Sequence, residues 1–547
     1  MTATSTSADG GLSAGSRHLR RNVGFWGLMF VSLGSIIGSG WLLGALTAAT
    51  VAGPASLLSW ILAAAMLLVL ALVHAELGGA YPMAGGTARF PFFSFGPLAG
   101  FASGWFGWVQ AVTIAPIEVE ATLSYVSHLG WVKDNIDILH TDGTLTGTGI
   151  VIASVFMLLF TLINAVGVKL LSDSNAVMVV WKALVPLLTV VVLLTVSFHS
   201  GNFTAGGFAP FGAHGVFAAL PAGVVFATMG FEQAIQMAGE ARNPQRDLSR
   251  AVVVAMIVGV VIYLLLEVAF VGALDPHNLV HGWANPIGKG NFGPYVTLAS
   301  SAGIVWLAVV LYIDAVVSPA GTGLLYLATS SRLSYAMGSE RTLPRLLSRV
   351  SLRGVPLPSI IVSFVVGEIV FLPFPSWQSL VGLITSATVL MYAFGPVSLH
   401  ALRLQDPDRA RPYRLPAWKV LSPVAFVCAN LIIYWSGFEA AWKLGASLLI
   451  GLALFFGTRF LGVPAHERPD LHWKASAWMW PWLGGLVLVG YLGRYGGDET
   501  IPEWWDLAVV TLFSLAVYYG AVRAQMPREY VNKVLAADEE VVLTSNG

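Results

Sequence analysis

Fourteen apolar stretches, each about 17 to 35 residues long, occupy most of the chain between residues 23 and 524. A helix rises about 1.5 Å per residue, so about 20 apolar residues cross the roughly 30 Å of hydrocarbon in a bilayer. The sequence therefore predicts an all-α polytopic membrane protein embedded in a lipid bilayer. The predicted spans lie near residues 23–48, 55–78, 97–127, 148–166, 174–197, 215–239, 249–274, 296–330, 357–373, 377–402, 418–437, 442–461, 475–493 and 503–524.

The composition excludes several classes of protein. Only 11% of the 547 residues are charged, whereas about 25% is usual for a soluble domain. A net charge of +0 lacks the basic excess of a nucleic-acid-binding protein, so no nucleic-acid partner is expected. The single cysteine, Cys428, excludes a cysteine metal cluster. We find no metal-ligand spacing, nucleophile motif or nucleotide-phosphate loop, and we predict neither an enzyme nor a cofactor.

The positive residues predict the orientation of the chain in the membrane. With the N-terminus inside, 24 of the 29 Lys and Arg residues fall in the inner segments and four in the outer loops. Because positive residues collect on the cytoplasmic side, this bias predicts a multi-pass plasma (inner) membrane protein with both termini in the cytoplasm. The cytoplasmic tails would be residues 1–22 and 525–547. The one positive residue left over, Lys182, falls inside a predicted span.

Two of the predicted spans contain helix-weakening sequences. The first span carries Gly34-Ser-Ile-Ile-Gly-Ser-Gly40, with three glycines in seven residues near the centre of the bilayer. Since glycine weakens a helix by about 1 kcal/mol relative to alanine, we predict a break there. The sixth span has a weaker counterpart at Thr228-Met-Gly-Phe-Glu232. The alternative is that these glycines only allow neighbouring helices to approach closely.

The two predicted breaks are five spans apart, and this spacing predicts the domain organisation. A unit of five spans that is repeated once must return with inverted topology, and paired breaks in inverted repeats mark a transporter's binding site. We predict two inverted five-helix repeats, residues 23–197 and 215–402, followed by about four extra transmembrane helices within 418–524. Unwound backbone offers N–H groups to a carboxylate and carbonyl groups to an ammonium, which suits an amino acid.

Several motifs resemble those of the amino acid-polyamine-organocation superfamily of permeases. They are Gly34 to Gly40, Tyr81 to Thr87, Gly230 to Glu232, and Gly239 to Leu248. Other stretches resemble the subgroup of bacterial aspartate-proton symporters, which also carries extra C-terminal spans. These are Ile117 to Glu120, Ile313 to Pro319, Leu372 to Trp377, and Tyr434 to Gly437.

The resemblance implies a LeuT-like core in which substrate is held between spans 1 and 6 and exposed alternately to each side. The substrate carboxylate would bind the backbone of the first break, formed by Ser35, Ile36, Ile37, Gly38, Ser39 and Gly40. The amino group would bind carbonyls of the second break, formed by Thr228, Met229 and Gly230. Phe226 falls where members of the superfamily place an aromatic gate. The alternative is that its ring only packs between helices.

Lys182 is the clearest intramembrane cation. A charge at the bilayer centre costs at least about 2.5–3.5 kcal/mol, so Lys182 should face the bundle interior and have partners. The resemblance implies that its ammonium occupies a position that binds sodium in related transporters, near spans 1 and 8. We predict a proton-coupling group made of Lys182, Asp314, Ser318 and Thr322. The alternative is that Lys182 belongs to a fixed structural ion pair, for example with Asp314.

Six acidic residues also fall inside predicted spans: Glu118, Glu120, Glu232, Glu267, Asp314 and Glu368. Glu118 and Glu120 lie about 200° apart around a helix, so at most one can face the site. We choose Glu118 as a substrate-binding residue, and we expect Glu232 to stabilise the second break. An acidic substrate needs a cation or strong donors for its side chain, yet Lys182 is assigned to coupling. Either some of these acids are neutral, or the substrate is not acidic.

Together these features predict a secondary active amino acid transporter. Its expected mechanism is proton symport of an acidic or small polar amino acid by alternating access. One alternative is an amino acid exchanger that accepts a neutral or other amino acid. A more remote alternative is a nutrient sensor or channel that retains the fold without transport.

Overall fold

The computed structural model describes residues 23–544, apart from 84–85, 167–168, 281, 289–292, 352–354, 465–467, 469 and 503. The predicted tail 1–22 lies outside the described residues. Helices dominate this part of the chain, and the few extended residues form two isolated bridges rather than a sheet. The predicted all-α class is therefore confirmed.

The described residues form 23 α-helices. In chain order these are α1 Phe25–Ile36, α2 Ser39–Ala52, α3 Ser56–Ala80, α4 Gly86–Phe95, α5 Pro97–Val126, α6 Gly130–Asn135, α7 Gly147–Val166, α8 Lys169–Val196, α9 Gly212–Ala219, α10 Val225–Thr228, α11 Glu232–Gln236, α12 Pro244–Ala273, α13 Pro276–Leu279, α14 Pro294–Ser301, α15 Val305–Ser339, α16 Leu357–Val370, α17 Trp377–Gln405, α18 Trp418–Trp435, α19 Gly437–Gly462, α20 Trp473–Ser476, α21 Met479–Leu492, α22 Trp505–Ala524 and α23 Arg528–Thr544.

A helix or a group of helices lies at each of the fourteen predicted spans. In the part of the chain that is described, nine helical segments are long and apolar enough to cross a membrane, and one of them, Ser39–Ala80, covers α2 and α3. Three shorter apolar segments, Phe25–Ile36, Gly212–Thr228 and Leu357–Val370, belong to other predicted spans. The chain is a multi-pass membrane protein, as predicted. The inverted relation of the two repeats stays a prediction.

The predicted span 296–330 is wrong at its start. Helix α14 ends at Ser301, and the long helix α15 begins separately at Val305. Gly303 makes the turn between them with a φ of +73°, a conformation that glycine adopts at little steric cost. The apolar sequence continues across this turn, so hydropathy alone did not reveal the boundary.

The predicted C-terminal tail, residues 525–547, contains a docked helix. In α23, Val531 and Leu535 are buried and lie one turn apart on one face. The side chain of Gln405 on α17 donates a hydrogen bond of 2.7 Å to the carbonyl of Met526. The short amphipathic segment therefore packs against the helical bundle.

The core of the bundle surrounds the predicted breaks. Helices α5 and α17 are buried along most of their length. Helix α5 packs against α15 and α17, while α1 packs against α12. These long helices enclose α2, α10 and α11, which are too short to cross a bilayer alone.

Candidate functional site

The first predicted break is confirmed. Helix α1 ends at Ile36 and α2 begins at Ser39. The Ile37 N–H closes α1 by donating to the Leu33 carbonyl at 2.9 Å. The Tyr263 hydroxyl, from α12, donates to the Ile36 carbonyl at 2.7 Å. An outside donor therefore satisfies a carbonyl that the break would leave unpaired.

The second predicted break is also confirmed, because α10 ends at Thr228 and α11 begins at Glu232. Gly230, between them, has a φ of +125°. A Cβ atom at Gly230 would lie 2.9 Å from the backbone nitrogen of Ile36 and 2.9 Å from the carbonyl carbon of Ser35. The two breaks are thus in direct contact, and glycine permits both the backbone conformation and the close approach.

We expect Gly230→Ala to destabilise the protein. The substitution adds a side chain in a conformation disfavoured for L-residues and against the backbone of α1, so the free energy of unfolding should fall by about 1–3 kcal/mol. The matched control is Gly382→Ala in α17, where a Cβ atom meets nothing within 4 Å. Thermal unfolding of the purified variants in detergent measures both effects. Equal midpoints for the two variants would contradict the expected contact between the breaks.

Glu232 holds the second break in place, as predicted. Its buried carboxylate accepts the Gly230 N–H at 3.1 Å and the Tyr326 hydroxyl at 3.2 Å. The Tyr392 hydroxyl also donates to it. Tyr326 is on α15 and Tyr392 is on α17, so one carboxylate fastens the irregular backbone to two long helices.

A small cavity of about 20 Å³ lies between the two breaks. That volume holds about one water molecule, so the surrounding helices must separate before an amino acid can bind. The predicted site residues that line the cavity are Ser35, Ile36, Gly38, Gly40, Glu118, Phe226, Met229 and Thr322.

Four predicted substrate-binding residues do not line the cavity: Ile37, Ser39, Thr228 and Gly230. The side chain of Ser39 instead accepts a hydrogen bond of 3.0 Å from the Trp377 indole. The Thr228 hydroxyl donates to a carbonyl of its own helix at 2.9 Å. The Ser39 and Thr228 side chains are therefore engaged in hydrogen bonds within the protein.

Glu118, on α5, places its carboxylate at the N-terminal end of α2. Its Oε2 atom accepts the Ser39 N–H at 2.8 Å, and its side chain is 1% exposed. Glu120 lies on another face of α5, and both its carboxylate oxygens are buried without a hydrogen-bond partner among the described residues. Of the two acids, Glu118 therefore faces the cavity. Its contact with Ser39 demonstrates that the N-terminal end of α2 accommodates a carboxylate.

Lys182 joins three spans. Its side chain is 2% exposed. Its Nζ atom donates to the Gly34 carbonyl on α1 at 3.0 Å and to the Thr322 hydroxyl on α15 at 2.6 Å. Thr322 also lines the cavity. The structure therefore brings Lys182 to the first break and to span 8, although Lys182 itself does not line the cavity.

Asp314 and Ser318 lie apart from the cavity. The Asp314 carboxylate accepts the Trp181 indole N–H at 2.7 Å, the Trp41 indole N–H at 3.1 Å and the Ser318 hydroxyl at 2.7 Å. Within the described part of the chain, Asp314 and Lys182 form no ion pair. The alternative of a fixed Lys182–Asp314 pair is therefore wrong, and Asp314 connects α2, α8 and α15 through neutral donors.

The remaining intramembrane acids bind neutral donors away from the cavity. Glu267 accepts a hydrogen bond from the Ser56 hydroxyl and one of 2.9 Å from the Trp60 indole. Glu368 accepts the Ser154 hydroxyl at 2.6 Å. These contacts fasten α3 to α12 and α7 to α16.

Phe226 and Met229 line the cavity on the side where α10 ends. The Phe226 ring lines the cavity and meets the Trp377 ring edge-on, with centroids 5.5 Å apart. The carbonyls of Thr228 and Met229 accept no hydrogen bond from any residue that the structure describes. They are available acceptors in a low-dielectric environment, where an ammonium binds such groups well.

Gln110 is a cavity residue that the sequence did not reveal. It lies on α5, is 1% exposed and lines the cavity. Its Nε2 and Oε1 atoms have no hydrogen-bond partner among the residues described. A buried amide normally satisfies its two donors and its acceptor. A single uncharged amide in an apolar helix carries no periodic or charge signal, so only the tertiary structure identifies it.

Two contacting breaks with a small cavity between them are the sequence and structural features by which interrupted helices mark a transporter's binding site. A profile of the amino acid permease family matches residues 23–456. The chain belongs to this family, within the superfamily that the motifs resembled. It is an amino acid transporter and not an enzyme.

Three relatives from Bacillus subtilis (strain 168) are similar to the chain. The "Glutamate/serine transporter AimA" is 37% identical over 94% of this chain and 95% of its own length. The "Aspartate-proton symporter" is 34% identical over 94% of this chain and 98% of its own length. The "Branched-chain amino acid permease BcaP" is 27% identical over 81% of this chain and 94% of its own length. At 94% of the chain, the similarity to the first two reaches into the extra C-terminal helices.

Proposed function

We propose that the protein is a proton-coupled symporter of an acidic or small polar amino acid. The observation that carries the proposal is the contact of Lys182 with both the Gly34 carbonyl and the Thr322 hydroxyl. The names of the two relatives that are at least 34% identical, which mention glutamate, serine, aspartate and protons, support the substrate class and the coupling ion.

In this proposal the substrate's α-carboxylate binds the N–H groups at the start of α2. The Gly38 and Gly40 N–H groups lie on either side of Ser39, which already holds the Glu118 carboxylate. The substrate's ammonium binds the Thr228 and Met229 carbonyls across the cavity. Interrupted helices provide both sets of groups without a charged side chain.

Gln110 is the proposed receptor for the substrate's side chain. Its amide has two N–H donors and one acceptor, and neither its nitrogen nor its oxygen makes a hydrogen bond of normal geometry in the described structure. The donors would bind a side-chain carboxylate of glutamate or aspartate, and either group would bind the hydroxyl of serine. An acidic substrate needs a cation or strong donors for its side chain, and Lys182 is assigned to proton coupling. The Gln110 amide would provide the donors, so no second cation is needed.

Lys182 is the proposed proton carrier. When protonated, its ammonium makes charge-assisted hydrogen bonds that hold α1 to α8 and α15. Loss of the proton weakens those bonds, so α1 can separate from α15 and open the cavity to one side. Proton binding and release at Lys182 would therefore accompany the change of access. Thr322 belongs both to the cavity lining and to this contact, which connects substrate binding to the proton.

A competition panel tests the proposed substrate class. Purified protein in proteoliposomes takes up labelled serine while each unlabelled amino acid is added in excess. We expect glutamate, aspartate and serine to compete, and leucine and lysine to leave uptake unchanged. Competition by leucine or lysine without competition by the acidic amino acids would contradict the proposed side-chain site at Gln110.

A further inference from the structure

A second cavity lies on the surface of the bundle, away from the candidate site. It is a groove of about 550 Å³ between the first turns of α12 and residues 406–417, which connect α17 to α18. Arg246 and Arg250 of α12 line one side, and Tyr413 lines the other. Nothing in the transport proposal uses this groove.

The two arginines in the groove are not paired. Arg246 and Arg250 are exposed, are four residues apart and so lie on one face of α12. Neither guanidinium group forms a hydrogen bond or an ion pair with any other residue in the described structure. By contrast, Arg403 and Arg411 nearby bind the buried carboxylate of Glu76. The groove therefore presents two uncommitted guanidinium groups.

An apolar stripe continues from the groove along α12. Val254, Ile257, Val261 and Leu265 follow at intervals of three, four and four residues and are 37–50% exposed. This spacing places them on one helix face. In a protein that crosses the membrane many times, an exposed aliphatic face on a spanning helix contacts lipid chains. The stripe thus leads from the hydrocarbon directly to the two arginines.

We propose that the groove binds one anionic phospholipid. The phosphate would lie against Arg246 and Arg250, because the planar guanidinium fork matches a phosphate group. The hydroxyl of Tyr413 and the amide of Gln245 would bind the headgroup. The acyl chains would follow the stripe that begins at Val254. The predicted orientation places the groove at the cytoplasmic leaflet, where basic residues attract anionic lipid.

Native mass spectrometry of the full-length protein tests this proposal. The protein is purified in detergent, stripped of lipid and mixed with dioleoyl phosphatidylglycerol or dioleoyl phosphatidylcholine. We expect one tightly retained phosphatidylglycerol and no comparable retention of phosphatidylcholine. Since each basic residue near an anionic lipid surface contributes about fivefold in affinity, Arg246→Gln with Arg250→Gln should weaken retention about 25-fold.

The matched control is Arg345→Gln with Arg349→Gln, which removes two exposed arginines of the same spacing outside the groove. It should retain the lipid as the unchanged protein does. Equal losses from the two double variants, or equal retention of both lipids, would overturn the proposal. If the groove double variant does not fold, Arg250→Gln alone should weaken retention about fivefold.

A second measurement compares inorganic phosphate with the lipid. We expect inorganic phosphate to leave the thermal midpoint of the protein unchanged, whereas phosphatidylglycerol raises it. A rise with inorganic phosphate equal to that with the lipid would identify a site for a free anion and overturn the lipid assignment.

Discussion

Lys182→Ala is expected to reduce amino acid uptake driven by a pH gradient to background. The substitution removes the ammonium that donates to the Gly34 carbonyl and the Thr322 hydroxyl. Without a group that gains and loses a proton at this contact, substrate movement has no connection to the proton gradient. Uptake of labelled substrate into proteoliposomes, with and without an inward proton gradient, measures the loss.

A second readout separates coupling from a merely structural role. Exchange of labelled for unlabelled substrate needs the site and the change of access but no net proton movement. In Lys182→Ala and Lys182→Met we expect exchange to persist and its pH profile to become flat. The control is Lys443→Ala, because Lys443 pairs with Glu439 at the start of α19, far along the chain from the site. Full pH dependence of uptake in the Lys182 variants would contradict the coupling role.

Gln110→Leu is expected to produce the second-largest effect. Leucine is one atom shorter and has no hydrogen-bonding group, so an acidic side chain in the cavity would lose its donor. A hydrogen bond to a charged group contributes about 1.5–3 kcal/mol, and the apparent affinity for glutamate should fall about 10- to 150-fold. Binding of labelled glutamate to the purified variant measures this change.

Thr113→Val is the matched control for Gln110→Leu. Thr113 lies on the same helix, is also buried, and donates its hydroxyl only to carbonyls of α5. This variant should bind glutamate nearly as the unchanged protein does. An unchanged glutamate affinity in Gln110→Leu, or an equal loss in both variants, would remove Gln110 from the proposed site.

The sequence predicted the parts of the site that depend on backbone chemistry or on a charge inside the membrane. The glycine cluster from Gly34 to Gly40 predicted the first break because glycine weakens a helix wherever it lies. Lys182 was identifiable because a buried cation in an apolar span is costly and needs partners. Both signals are local, so they can be detected in one stretch of sequence.

The sequence did not predict contacts that arise from the packing of distant segments. Asp314 binds two indoles, from Trp41 and Trp181, that are 273 and 133 residues away. The positions of these residues in the sequence do not indicate whether Asp314 binds the two indoles or forms an ion pair with Lys182. Gln110 was missed for the same reason, because its free amide becomes significant only when the cavity beside it is known.

Net uptake into proteoliposomes that contain no amino acid tests the central claim most directly. The vesicles are loaded with buffer alone, given an inward proton gradient and supplied with labelled glutamate or serine. We predict that the substrate accumulates above its outside concentration and that accumulation stops when a protonophore collapses the gradient. Uptake that ignores the gradient and requires amino acid inside the vesicles would contradict symport and identify an exchanger.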